Sequence, residues 1–391
     1  MRRTCFTMLL LVMVGSSSLL FTGIKSKAEK RQVQNVARPQ DQEREVPETE
    51  LPKIDLTTRE LNAPKAIKDR LERRRREISR GGATYNIGVT SVSNRPLPTR
   101  RITPDDRRRT PQTMRKQNYD AQKIIEREKI PTVEELLNRR GQSSAPRVPL
   151  SIHGNSFLAS TAAPAASSCK SRRRFEYTRE RGQVPPIRDQ AGCSSCWAFA
   201  GAGIVDSSYR IRHDRKADVA EQELIDCAGG LANGFINGCD GFFIESSMFH
   251  MQFDGVAWEN RYDYAGRDRG TCRNPPYSYK ISAWGWAGIG WASKDQIKAA
   301  LCAHGPVATT IEVTQDFSDY TEGVFSDKPR SRYGAIPNTN HAVMIVGWDD
   351  DRGAWRIRNS WGRDWGEDGA AWIKYGHNGI GWNTVWAVAR N

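Results

Sequence analysis

Tryptophan is absent from the first 196 residues of this 391-residue chain, although the chain has 12 of them, all at or beyond Trp197. Residues 28–168 are also poor in other large apolar side chains and rich in Arg, Pro, Gln and Ser, which argues against an independent hydrophobic core of ordinary size there. The same stretch lacks acidic balance. Up to residue 168 there are 32 Lys+Arg against 18 Asp+Glu, whereas from Cys169 onward both counts are 27, so the net charge of +14 belongs to the front segment. No aromatic platform or recognition motif accompanies the basic runs, which ranks nucleic-acid binding low despite that charge. There are no internal repeats. Close cysteine pairs are scarce: Cys193-x-x-Cys196 stands alone, and Cys227 and Cys239, 12 residues apart, have no histidine nearby. That argues against a tetrahedral zinc site, and the lack of a βαβ setting argues against a thioredoxin-like redox site. No metal or cofactor is expected.

Long apolar runs are equally rare. The main one, Cys5–Val14, follows Arg2 and Arg3 and resumes at Leu19–Phe21. Basic residues before an apolar stretch mark residues 1–27 as an export signal, with cleavage the preferred reading. An uncleaved anchor stays open, because about 20 residues cross a bilayer. Export places the chain outside the cytoplasm, secreted or surface-anchored, in a compartment where cysteines can pair.

Beyond the leader, two pieces of the front segment read as helical, Ala63–Ser79 with its run Arg73–Arg76, and Ala121–Arg140. Pro96, Pro98, Pro104 and Pro111 should break regular structure between them. Residues 156–168 read as a linker of small residues. The segment is either a disordered basic spacer, suited to contact with a polyanion or a membrane, or a pro-segment covering an active site. From residue 170 the pattern turns globular. Helices are expected from Cys196 to about Arg212 and near Ala220–Cys227, Phe243–Phe253 and Lys294–His304. Strands follow at Val307–Val313, Ala342–Trp348, Ala354–Arg358, Ala370–Lys374 and Asn383–Ala389. Helices first and strands later suggest an α+β architecture of two lobes with a cleft between them.

The chemistry concentrates in three places. Gln190-Ala-Gly-Cys-Ser-Ser-Cys-Trp-Ala-Phe199 puts Cys196 where a Gly/Ser turn meets a helix. A thiol is nucleophilic as the thiolate, and free N–H groups and the helix dipole at a first turn favour that anion. An imidazole is needed to hold the thiolate and protonate a leaving group. Of only six histidines, His341 opens an apolar strand in the β part and can face the cleft from the opposite lobe. The ring needs an orienting group, and Asn359 begins the loop after the next strand. Taken alone, Cys196 would read as a disulfide or redox cysteine and His341 as a structural histidine. His153, His213, His250, His304 and His377 keep that structural reading.

Gln190, Cys196-Trp197, His341 and Asn359-Ser-Trp-Gly362 resemble the four active-site segments of the papain/cathepsin family of cysteine peptidases, in the family's order. Cys196 and His341 lie 145 residues apart, within that family's spacing. Glu221–Cys227, Asn237–Gly241 and His304–Val307 agree, and the resemblance covers roughly residues 174–390. It implies a papain-like two-lobe fold, helical left lobe and antiparallel β right lobe, over residues 169–391, preceded by a largely irregular basic pro-segment over 28–168. It implies an endopeptidase made as a zymogen. Cys196 would attack the peptide carbonyl, and His341 would act as general acid and base. Gln190 and the Cys196 N–H would form the oxyanion hole, Asn359 would orient His341, and Trp361 would shield that bond, with Trp197 in support. A non-catalytic binding protein of the same fold and a surface acyl transferase are the alternatives.

The resemblance also implies disulfides Cys193–Cys239 and Cys227–Cys272. A third bridge common in relatives is missing as a unit, with Arg330 and Asn378 at its two places. Cys302 reads as a buried apolar filler, with a Cys169–Cys302 bond left open. Relatives show two glycines where this chain has Gly241 and Phe242, so bulk stands where a substrate backbone should approach. Phe243, Thr310, Ala342 and Asn383 map around the pocket for the second residue before the cut. Partners expected are polypeptide substrates and an activating protease or the enzyme itself, with cleavage near Cys169–Arg174, and the enzyme is expected to be a monomer.

Overall fold

The structure is a computed structural model, and it describes residues 56–97, 110–143, 168–228, 238–273, 275–329 and 336–391. The export signal, most of the 156–168 linker, Asn237 and Arg330 lie outside the described residues. No helix among the described residues is long and apolar enough to cross a membrane.

The helical lobe is built on α5 (Cys196–His213), with α6 (Glu221–Cys227) and α7 (Ile244–Phe253) against it. α5 is buried along nearly its whole length, from Cys196 to Ile211. Small residues make that burial possible. A Cβ at Gly203 would lie 2.3 Å from Met344 Sδ, and one at Gly201 would lie 2.7 Å from Ser247 Cβ. Close approach at Gly203 brings α5 against the strand that begins at His341. The β lobe comprises β3 (Ile281–Trp286), α8 (Lys294–His304), β4 (Val307–Ile311), α9 (Gln315–Ser318), β5 (Tyr320–Phe325), β6 (His341–Asp349), β7 (Ala354–Arg358), β8 (Ala370–Lys374) and β9 (Trp382–Ala389). α8 starts at a capping box, in which the Ser293 hydroxyl accepts from Gln296 N and the Gln296 side chain accepts from Ser293 N.

Together with β1 (Thr84–Ile87), these strands run in the order β1-β5-β8-β7-β6-β4-β9-β3, and β2 (Arg174–Glu176) pairs with β6. Neighbouring pairs are antiparallel apart from β5 and β8, which run parallel. Strands β7 and β8 and helix α8 occupy the spans expected from sequence. β3 and β5 were not expected. β3 is buried at every position and shows no period-two alternation.

Cys193–Cys239 and Cys227–Cys272 are bonded as the resemblance implied. Cys302 is not a filler: it is bonded to Cys169, which ties the start of the domain to α8 across 133 residues of sequence. Cys196 is the one free cysteine among the described residues. The basic triplet at the domain start is held in place. Arg173 and Arg174 pair with Asp351, and the Arg172 carbonyl accepts from Trp348 Nε1 at 2.9 Å. The triplet is nonetheless exposed, with side-chain exposures of 77% for Arg173 and 67% for Arg174, so it stays open to a protease.

The front segment is more regular than its composition implied. It contains α1 (Leu56–Asn62), α2 (Lys65–Arg80), β1, α3 (Pro111–Glu128) and α4 (Val133–Ser143). The single helix expected over Ala121–Arg140 is two, ended at Lys129 in the left-handed conformation and restarted after Pro131. Pro111 does not break structure but starts α3 behind an N-cap at Thr110, because a first-turn residue needs no N–H. Ile67, Arg70, Leu71 and Arg74 share one face of α2. That face meets α9: Arg70 Nη2 donates to both carboxylate oxygens of Asp319 at 3.0 and 2.9 Å, and Arg74 Nε donates to Asp316 Oδ1 at 3.0 Å. Arg75 is engaged by Glu60 and Arg76 by Glu72, so most of the Arg73–Arg76 run has partners inside the chain. β1 then pairs with β5, with Tyr85 opposite Gly323. A Cβ at Gly323 would lie 2.2 Å from Thr84 O, so that pairing requires glycine.

Candidate active site

Cys196 is the first residue of α5, and its side chain is buried. Backbone N–H groups at a helix start have no intrahelical acceptor, so they are free to favour an anion there. His341 opens β6, and its ring Nε2–H donates to Asn359 Oδ1 at 2.7 Å. Asn359 Oδ1 also accepts from Ser360 N at 2.9 Å, which fixes the amide orientation. This tautomer leaves Nδ1 of His341 to take and return a proton. Trp361 lies over the imidazole with ring centroids 4.7 Å apart, and Phe317 and Trp365 pack behind it.

Main-chain hydrogen bonds join the two lobes here. Gln190 N donates to Ser360 O at 2.8 Å, and Gly362 N donates to Arg188 O at 3.0 Å. Gln190, Asn359, Ser360 and Trp361 therefore sit on paired segments. The Gln190 side chain is also fixed, since Ser360 Oγ donates to its Oε1 at 2.6 Å and its Nε2 donates to Cys193 O at 2.8 Å. Ser360 was not singled out from sequence, although its place beside Asn359 was the available signal. A Gln190→Ala variant is expected to lose about 10²–10³ in kcat with a much smaller change in KM, measured on a peptide amide. Equal loss in both would remove the oxyanion role.

Burial pushes the Cys196 thiol up to about 11, against hydrogen bonding from the Ala342 and Trp197 backbone, and pushes His341 down to about 4. Both shifts favour a neutral thiol and a neutral imidazole in this closed arrangement. The front segment lies beside the site on both sides. Ser91 Oγ donates to Trp361 O at 3.1 Å, and Arg95 Nη1 donates to Ala191 O at 2.9 Å. No sequence signal pointed to Ser91 or Arg95. The depressed histidine gives a pH dependence with a defined sign. An accessible His341 takes up a proton near its ordinary 6.5, but the buried ring does so only near 4, so closure weakens as pH falls through that window. The full shift corresponds to about 3 kcal/mol. Hydrogen exchange at β1, corrected for intrinsic rates, is expected to quicken from pH 6.5 to 4, and the change should shrink in His341→Gln.

The remaining expected residues are less concentrated. Trp197 is buried and donates through Nε1 to Gly238 O at 3.0 Å. Gly241 has φ of 92°, in the region that favours glycine. Phe242 turns its ring edge against Trp197, with centroids 5.6 Å apart, and lies beside Phe243 at 5.0 Å. Thr310 and Ala342 are cross-strand partners, and Thr310 Oγ1 donates to Trp382 O, next to Asn383. Phe243 is the N-cap residue of α7. Among the described residues no group of three or more His, Cys, Asp or Glu could hold a metal ion.

A lone thiol at a helix start in one lobe, with an amide-oriented imidazole on a strand of the other, is an arrangement suited to thiol-dependent acyl transfer. The chain belongs to the papain family of cysteine proteases, whose sequence profile matches residues 172–388. It is 34% identical over 207 residues to thiol protease aleurain of Arabidopsis thaliana, covering 52% of this chain and 56% of aleurain. It is 33% identical over 210 residues to pro-cathepsin H of Mus musculus, covering 53% of this chain and 61% of the relative. The match thus spans little more than half the length of these relatives. In fold the chain is similar to digestive procathepsin L 3 of Tenebrio molitor larval midgut, with a TM-score of 0.54, 22% identity, and coverage of 83% of this chain and 89% of that one.

Proposed function

We propose that this chain is a cysteine endopeptidase made as an exported zymogen. The observation that carries the reading is the His341–Asn359 bond, which leaves Nδ1 available in the same site as the free thiol at the head of α5. Once the part of the front segment beside the site leaves, the thiol passes its proton to His341 and the resulting thiolate attacks the substrate carbonyl carbon. The carbonyl electron pair moves to oxygen, where the Gln190 amide and the Cys196 N–H stabilise it. Collapse expels the amine, which takes its proton from His341 and leaves a thioester on Cys196. His341 then removes a proton from water, which attacks the thioester and releases the carboxylic acid product and the thiol. One N–H of the Gln190 amide is committed to Cys193 O, which leaves the second to donate to the developing oxyanion. Three disulfides support an oxidising compartment and hence export.

The test is expression of residues 28–391, incubation with a mild reductant and a protease that cuts after basic residues, and assay of fluorogenic peptide amides from pH 4 to 8. Hydrolysis that appears with processing and is blocked by an epoxysuccinyl inhibitor is the expected result. A folded, processed chain inactive on every substrate would instead favour a binding protein of this fold.

A further inference from the structure

The front segment holds the domain at both ends of the sheet, and the two attachments differ. At one end β1 extends the sheet beside β5, while at the other β3 is the outermost strand and α3 lies against it. An outermost strand presents unpaired backbone N–H and C=O groups. Here one side chain takes a pair of them: Asn118 Oδ1 accepts from Trp286 N at 2.7 Å, and Asn118 Nδ2 donates to Trp286 O at 3.0 Å. Gln117 Nε2 adds a bond to Trp284 O at 2.9 Å. The receiving strand is shaped for this contact. A Cβ at Gly285 would lie 2.7 Å from Asn118 Oδ1 and 2.6 Å from the Trp386 ring, so the domain keeps glycine where the amide approaches.

The rest of the α3–α4 hairpin, residues 111–143, is embedded as well. Met114, Ala121 and Val133 are buried. Arg212 Nη1 donates to Pro131 O at 2.7 Å, and Cys169 N donates to Glu134 Oε1 at 2.7 Å. None of these contacts approaches Cys196, His341 or Gln190. By contrast, residues 84–97 carry the contacts to the loops of Trp361 and Ala191.

We propose that residues 111–143 are a permanent part of the active peptidase, and that activation removes only what precedes them. The inference rests on the zymogen reading, but its test does not depend on activity. Losing the hairpin would leave the β3 backbone and the Trp284–Trp286 face open to water and to pairing with other chains. Losing residues 56–97 frees the loops around the candidate site and leaves the hairpin's bonds to β3 intact. The Cys169–Cys302 bond and the bond from Cys169 N to Glu134 tie the domain start to the hairpin, so a cut at the exposed triplet leaves the hairpin attached.

The experiment is brief digestion of the full chain with trypsin at pH 7, in a Cys196→Ser form that cannot process itself. Gel filtration under native, non-reducing conditions then precedes denaturation and intact-mass measurement. The expected native particle has lost 56–97 and keeps all of 111–143, either continuous with the domain or as a separate peptide at one-to-one ratio. A native particle that begins near Cys169 with no hairpin peptide overturns the proposal. A particle that keeps 56–97 while the parent chain treated in parallel labels at Cys196 overturns it too. An Asn118→Ala form should release or digest the hairpin earlier; unchanged retention would show that the bond to β3 is not what holds it. Labelling of Cys196 in a hairpin-free particle of the parent chain overturns this inference and leaves the peptidase reading standing. Retention of the hairpin in a parent-chain particle that never labels does the reverse.

Discussion

Replacing Cys196 with serine is expected to lower kcat/KM for peptide-amide hydrolysis by on the order of 10⁶, with the thermal midpoint nearly unchanged. The size follows from what the thiol alone supplies. A hydroxyl of similar volume can sit at the head of α5, but it does not ionise in the range where His341 holds a proton, so no ion pair forms to attack the carbonyl. The fold should tolerate the change, because Cys196 is in no disulfide and the helix packs through its small residues further along. Since Cys196 is the one free thiol among the described residues, the same variant should also lose all labelling by an epoxysuccinyl probe. Residual hydrolysis within tenfold of the parent would move the nucleophile elsewhere.

The second large effect concerns the unprocessed chain. Arg70→Ala with Arg74→Ala is expected to raise the rate of Cys196 labelling in the intact chain by a few hundredfold or more. The two carboxylates they meet are almost fully enclosed, with side-chain exposures of 2% for Asp319 and 6% for Asp316. Removing one partner of a buried pair leaves a charge without compensation, at about 3–5 kcal/mol. The arginines are 26% and 36% exposed, so solvent screening reduces this to about 2 kcal/mol each, roughly thirtyfold per pair. The penalty applies only while α2 lies on α9, because water solvates both aspartates once the helix leaves. Labelling at the parental rate would mean that β1 and its pairing with β5 hold the cover without α2.

The candidate site was more legible in the sequence than the architecture around it. Cys196, His341 and Asn359 sit in short contiguous motifs whose neighbours also build the site, as when Ser360 holds Gln190. Such information survives reading one segment at a time. The hairpin docking did not, because it depends on Asn118 meeting Gly285 and Trp286, far apart in the chain and individually unremarkable. The Cys169–Cys302 bond was left open for the same reason, since nothing local to either cysteine names its partner. Composition misled about the front segment: the Arg-rich helix α2 looks solvated until Asp316 and Asp319, which receive it, are in view. Phe242 shows a milder limit. Sequence located bulk in place of glycine, but only the fold shows the ring laid edge-on against Trp197.

The backbone bonds between residues 188–190 and 360–362 have a consequence for how substrate enters. They cross the seam between the lobes, with Gln190 on one side and Asn359 and Trp361, which meet the His341 ring, on the other. A jaw that opened along this seam would pull the machinery apart before admitting anything. Access must therefore be governed from above, by undocking a tethered cover over a cleft of fixed width. Turnover in the processed enzyme should then be insensitive to agents that stiffen inter-lobe motion, while activation of the intact chain should respond to whatever loosens the tether.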